Sequence, residues 1–158
     1  MSETSDPDPA PTARPVLILL AEDNDAHAEL IESCLNDLRL INEVRHVSDG
    51  ELALDYLLRR GHFSDPKSSP RPDLILLDLR MPKIDGLEVL REIKSTDGLC
   101  RIPVVILTTS AAETDIARAG DLHANSYLVK PIEFEALFQM LRDMGFYWLV
   151  MNRAAASE

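Results

Sequence analysis

Three uninterrupted apolar runs constrain this chain more than any other feature: Val16-Leu17-Ile18-Leu19-Leu20, Leu74-Ile75-Leu76-Leu77 and Val104-Val105-Ile106-Leu107. A strand with one wet face alternates apolar and polar residues, so a continuous run needs apolar surroundings on both faces. Strands buried on both sides belong to parallel sheets, whose crossover connections supply covering helices. The intervening segments have the matching pattern. Residues 25–39 set Ala28, Ile31, Leu35 and Leu38 at helical spacing, and Val44 and Val47 suggest a short second strand. Leu52, Leu54, Tyr56, Leu57 and Leu58 mark a second helix, with Asp49 placed to cap it. Leu87, Leu90 and Ile93 carry a third helix, and a weakly apolar fourth surrounds Ile116 and Ala119. Ser126 to Val129 reads as a fifth strand, and Phe134, Leu137, Leu141 and Met144 as the stripe of a last helix. Strands alternating with helices, joined by right-handed crossovers, give an α/β fold with a doubly wound parallel sheet.

At 158 residues there is room for one domain with a full core. Residues 1–15 hold four prolines and almost nothing to bury, and read as a disordered acidic lead-in. The domain is expected over 16–145, with a polar loop at 61–72 and an apolar tail at 146–158. A net charge of −11 argues against nucleic acid as a partner. No apolar run is long enough to span a membrane, and no basic segment precedes the first run as a signal peptide would require, so a cytoplasmic protein is expected. Cys34 and Cys100 lie outside any metal spacing and read as buried small hydrophobes at helical positions. His27, His46, His62 and His123 share no ligand spacing; incidental roles are expected, although His27 lies near an acid pair that a docking partner would feel.

In such sheets ligands gather beyond the carboxyl ends of the strands. Glu22-Asp23 follow the first strand, Asp78 the third, Thr108 the fourth, and Lys130-Pro131 the fifth. Taken singly, each has a bland reading: Asp23 or Asp25 as a helix cap, Lys130 as a solvated charge, Thr108 as a cap, Tyr127 as packing. Together they bring three carboxylates, a hydroxyl and an ammonium to one sheet edge. Crowded carboxylates call for a cation, and oxygen-only ligands suit Mg²⁺, with Mn²⁺ as a substitute. A carboxylate beside such a cation and a lysine can attack a phosphoryl group, with Thr108 donating to the product.

The segments LLAEDND at 19–25, DLILLDLRMPKIDGLEVL at 73–90, PVVILTTS at 103–110 and ANSYLVKPIEFEAL at 124–137 resemble the receiver domains of bacterial two-component response regulators. The resemblance covers roughly residues 16–145 and implies a flavodoxin-like (βα)5 fold with strand order 2-1-3-4-5. It implies Asp78 as phosphoryl acceptor, and Glu22, Asp23, Asp78 and the Arg80 backbone carbonyl as metal ligands. Lys130 would pair with the phosphoryl group, Thr108 and Tyr127 would form the switch pair, and the Lys130–Pro131 peptide would be cis. Gly86 would serve a turn before the third helix at positive φ. Arg80 also stands two residues past the acceptor, a position that often tunes hydrolysis. A sensor histidine kinase would be the phosphodonor, and the protein would catalyse only its own phosphorylation and dephosphorylation.

The 61–72 stretch, the LTTS and ANSYLVKP segments and Phe146-Tyr147-Trp148 resemble single-domain regulators paired with bacterial phytochromes. With about a dozen residues after the last helix, output is expected through protein contact. The apolar tail, with Phe138 and Met140 off the main helical stripe, favours a homodimer. Rival readings are an aspartyl-phosphate phosphatase, a phosphate carrier or sink in a relay, a flavin or nucleotide carrier, and a pseudo-receiver. The phosphatase would want a second carboxylate where Arg80 stands, the nucleotide carrier a Gly-rich loop where Glu22-Asp23 stand, and the pseudo-receiver an incomplete site.

Overall fold

The computed structural model of the chain describes residues 15–37, 42–108, 126–130, 133 and 135–143. The elements run β1 (Val16–Ala21), α1 (Asp25–Asn36), β2 (Asn42–Val47), α2 (Gly50–Leu58), β3 (Leu74–Asp78), α3 (Gly86–Ser95), β4 (Val104–Thr108) and β5 (Ser126–Val129), followed by helical residues 135–143. Two short 3-10 turns, Gly61–Phe63 and Pro66–Ser68, structure the polar loop before β3. The strands form one five-stranded parallel sheet in the order β2-β1-β3-β4-β5.

The uninterrupted apolar runs are explained by where their side chains go. Leu19, Ala21, Ile75, Leu77, Val104 and Ile106 point to one face, into a core shared with Leu54 and Leu57 of α2 and Leu90 and Ile93 of α3. Ile18, Leu20, Leu74, Leu76, Val105 and Leu107 point to the other, against Ile31 and Leu35 of α1 and Leu137 and Leu141 of the C-terminal helix. Successive strand residues therefore enter opposite cores, each fully buried side chain contributing roughly 1.5–3 kcal/mol. The pairing of β3 with β1 is set at its start. Asp73 accepts the Leu17 amide at 2.8 Å through Oδ2 and returns its own amide to the Leu17 carbonyl at 2.7 Å. A one-residue slip would swap every side chain between the two cores.

Asp49 caps α2 as expected, its side chain accepting from the Leu52 amide. Other readings differ from the structure. Neither Asp23 nor Asp25 caps α1; Asn24 does, accepting from the His27 amide at 3.0 Å, which leaves Asp23 outside the helix. Gly86 does not occupy a positive-φ turn: it is the first residue of α3, capped by Asp85, and the left-handed residue before it is Lys83, at φ 71. Glycine is required at 86 by proximity instead. A Cβ there would lie 2.8 Å from the Leu79 Cα and 3.0 Å from the Asp78 carbonyl carbon, closer still to the Asp78 oxygen. Cys100 is neither helical nor fully buried; α3 ends at Ser95 and Cys100 lies in the following turn, whereas Cys34 is buried as expected. Phe138 and Met140 are half-buried, packing in part against the core of their own domain. The lead-in at 1–14, the fourth helix, Pro131 with its peptide geometry, and the 146–158 tail lie outside the described residues.

Candidate functional site

The register of the sheet assembles the site. Ala21 of β1 pairs with Leu77 of β3, so the next residue on each strand, Glu22 and Asp78, emerge side by side on strands spaced about 4.8 Å apart. Asp78 pairs in turn with Leu107, one residue before Thr108, and Thr108 pairs with Val129, one residue before Lys130. The Lys130 amide donates to the Thr108 carbonyl at 2.6 Å, carrying the ladder past the end of β5. Glu22 is anchored likewise: its amide donates to the Val47 carbonyl, and the Glu22 carbonyl oxygen lies 2.7 Å from His46 Nε2.

These charged groups are buried. Glu22, Asp78 and Lys130 are 1%, 8% and 6% exposed. Lys130 is therefore no solvated surface charge. Its Nζ donates to Glu22 Oε1 at 2.6 Å and lies 3.7 Å from Asp78 Oδ2, with His27 Nδ1 at 3.5 Å. The second Glu22 oxygen accepts the Asn24 amide at 3.2 Å, and the Arg80 amide donates to Asp78 Oδ1 at 3.3 Å. One ammonium thus serves two buried carboxylates, and the charges do not balance. Burial first, then the hydrogen bond and repulsion from Glu22, push the Asp78 carboxyl up to about 7, against the pull of Lys130. Burial opposes ionisation of Glu22 too. The hydrogen bonds from Lys130 and Asp78 outweigh it and hold Glu22 below the ordinary carboxylate range. Of the two, Glu22 is the acid whose ionised form is favoured and Asp78 the one whose proton is retained more readily.

A carboxylate oxygen from each of Glu22, Asp23 and Asp78 lies within 4.8 Å of the others, with Asp23 exposed at the mouth. A buried acid pair that must share a proton, opened to solvent by a third acid, fits a hard divalent cation in place of that proton. Beside it opens a cleft of about 580 Å³ lined by Asp23, Leu79, Arg80, Met81, Pro82, Asp85 and Leu87. Thr108 is buried at the end of β4. Tyr127 stands opposite Ile106 on β5, but its side chain is outside the described residues. Sequence reasoning singled out neither His46 nor the contact of His27 with Lys130. No local pattern signals the latter, which joins residues 103 positions apart.

Known proteins resemble this chain in sequence and fold. The response regulator receiver domain matches residues 18–142. A probable methanogenesis regulatory protein, FilR2 of Methanothrix harundinacea, is 47% identical over 140 residues, 89% of this chain and 88% of its own. Response regulator Rcp1 of Synechocystis is 42% identical over 149 residues, 94% of this chain and 95% of its own. Among solved structures, the phosphorylated cyanobacterial phytochrome response regulator RcpA superposes with a TM-score of 0.79 at 45% identity, covering 86% of this chain and 95% of that one. The Mn²⁺-bound form of Rcp1 gives 0.77 at 43%, covering 85% and 95%. The bacteriophytochrome response regulator RtBRR gives 0.72 at 43%, covering 84% and 79%. Sheet order, the acids at the ends of β1 and β3, the lysine after β5 and a match across most of the sequence agree: the chain belongs to the response regulator receiver domain family.

Proposed function

We propose that this response regulator takes a phosphoryl group onto Asp78 from a sensor histidine kinase and signals through protein contact. The observation that carries the reading is the burial of Asp78 at the end of the central strand, between Glu22 and the Lys130 ammonium. Glu22, Asp23, Asp78 and the Arg80 carbonyl would hold a divalent cation, Mg²⁺ or Mn²⁺ in its place, which neutralises charge on the transferring oxygens. Asp78 reacts as the carboxylate, so the proton that Glu22 and burial help it retain would pass to solvent as the cation takes its place. Its carboxylate oxygen then attacks phosphorus, and the bond from phosphorus to the donor imidazole nitrogen breaks. The electron pair stays with that nitrogen, and the ring, protonated on its other nitrogen before the step, leaves as neutral imidazole. Lys130, already fixed by Glu22, meets the negative oxygens in transit without having to be reoriented. Thr108 donates its hydroxyl to the new phosphoryl group, and Tyr127 follows it inward as the readout.

The likeness to RcpA, a cyanobacterial phytochrome response regulator, and to RtBRR, a bacteriophytochrome response regulator, supports a bacteriophytochrome kinase as the phosphodonor. A cytoplasmic homodimer is the form proposed for the signalling species, and no helix among the described residues is long and apolar enough to cross a membrane. The chemistry is tested by intact mass after incubation with acetyl phosphate and Mg²⁺. One phosphoryl adduct on the wild type, absent from Asp78→Asn and from chelator-treated protein, is expected. An adduct on both proteins would mean that the acceptor lies elsewhere.

A further inference from the structure

The loop from Leu79 to Asp85 contributes the Arg80 carbonyl to the proposed cation site and the wall of the adjoining cleft. It is held by a part of the molecule that supplies no ligand. The first residue of α2, Gly50, is buried directly beneath it. Its amide points to the Pro82 carbonyl at 3.5 Å, and the Ile84 amide turns back to that same carbonyl at 2.8 Å. A Cβ on Gly50 would fall 2.6 Å from the Ile84 carbonyl carbon and 2.9 Å from the Ile84 Cβ, and nearer still to the Ile84 oxygen. The obstacle is loop backbone, which no rotamer change relieves. Between Pro82 and Ile84, Lys83 takes a left-handed conformation, φ 71. Its ammonium reaches across to the same helix end, 3.6 Å from Asp49 Oδ2 and 3.4 Å from Glu51 Oε1. Beyond the loop, Gly86 sits tightly on the Asp78 and Leu79 backbone, its amide donating to the Leu79 carbonyl at 2.9 Å.

We propose that Gly50 is a positioning residue for the divalent cation: its bare Cα is the seat on which the Pro82–Ile84 turn rests, and the height of that seat sets the reach of the Arg80 carbonyl. The inference rests on the cation reading of the preceding section. Restoring ordinary contact with the Ile84 carbonyl, whose oxygen is the nearest obstacle, would lift the turn by more than about 1 Å. Because Gly86 is packed on Asp78 and Leu79 and holds the two ends of the loop together, the displacement is taken up within residues 80–85, Arg80 among them. A hard cation with bonds of about 2.1 Å does not tolerate a ligand moved that far. Lys83 assists from outside by strapping the turn to Asp49 and Glu51. The cation site is therefore tuned from α2, through the backbone.

The test is Mn²⁺ binding, read as the loss of the free-ion paramagnetic resonance signal, on full-length wild type, Gly50→Ala and Asp23→Asn, each confirmed folded by circular dichroism. Gly50→Ala should weaken Mn²⁺ tenfold or more and raise the Mg²⁺ concentration for half-maximal phosphorylation by acetyl phosphate to match. The rate at saturating Mg²⁺ should stay within about twofold of wild type, a split that a general loss of structure does not produce. Weakened binding in Asp23→Asn with wild-type affinity in Gly50→Ala would overturn the seat alone. Wild-type affinity in Asp23→Asn would remove the cation reading, and the seat with it. Should Gly50→Ala not fold, Lys83→Gly carries the test, at 0.3 M salt to suppress the long-range effect of the lost charge. It should lose two- to fivefold in Mn²⁺ affinity with an unchanged or higher melting temperature, because glycine removes the left-handed penalty. Undiminished affinity there would equally overturn the proposal.

Discussion

Replacing Asp78 by Asn should stabilise the metal-free protein, and the size of the gain follows from the charge imbalance at the site. The Asp78 carboxyl is pushed from an ordinary 3.8 to about 7 in the fold, first by burial and then by Glu22. At about 1.4 kcal/mol per unit, roughly three units correspond to a ceiling of about 4 kcal/mol. Relaxation of the acid pair in the wild type lowers the expected gain to about 2–4 kcal/mol. The folded state holds the proton more tightly than the unfolded chain, so wild-type stability falls as pH rises from about 4 through about 7. Asn has no such dependence and keeps a polar partner for the Arg80 amide. Urea unfolding of both proteins in chelator, from pH 4.5 to 8.5, reads the difference directly. The gap should be widest at pH 8.5, close progressively below 7 and be small near 4. Adding Mg²⁺ should shrink it, because a ligand that binds only the folded wild type stabilises it by mass action. Equal stabilities at pH 8.5 in chelator, or a gap that widens on acidification, would refute the reasoning.

Lys130→Met should cost about 3–5 kcal/mol in urea unfolding at pH 7, because it leaves Glu22 buried without its 2.6 Å partner. Pairing the change with Glu22→Gln should recover part of that loss. Tyr56→Phe should cost about 1 kcal/mol by removing the 2.7 Å hydrogen bond to the Pro70 carbonyl, with Mn²⁺ affinity unchanged, since that contact ties down the loop on the far side of α2.

The strands were legible because burial on both faces writes itself into consecutive residues, as in Leu74 to Leu77, and the first polar residue after each run, Glu22, Asp78 or Thr108, is then a site candidate by topology alone. Asp49 was legible as a cap because a lone acid precedes a clear apolar pattern. The cap of α1 was not: three of the four residues from Asp23 to Ala26 can cap, and the choice of Asn24 is decided by backbone conformation. Burial of Lys130 was equally hidden, since no local pattern distinguishes a lysine directed at two carboxylates from one directed at water. The glycines mark the same limit. Gly86 invites a positive-φ reading, but its reason is a neighbouring backbone, and Gly50 rests on a contact with residue 84 that spacing does not encode.

The 2.6 Å contact between Lys130 and Glu22 joins residues 108 positions apart. Closing so long a loop costs only a little more entropy than closing a short one, since the cost grows logarithmically. Its significance is one of timing. A nascent chain with β1 and β3 paired already brings the two buried acids together, but until the fifth strand docks they lack their cation. Domains form largely as units while synthesis proceeds from the amino end. The chemistry is thereby tied to the last strand of the sheet, and an incompletely folded chain presents an acid pair that is short of its lysine.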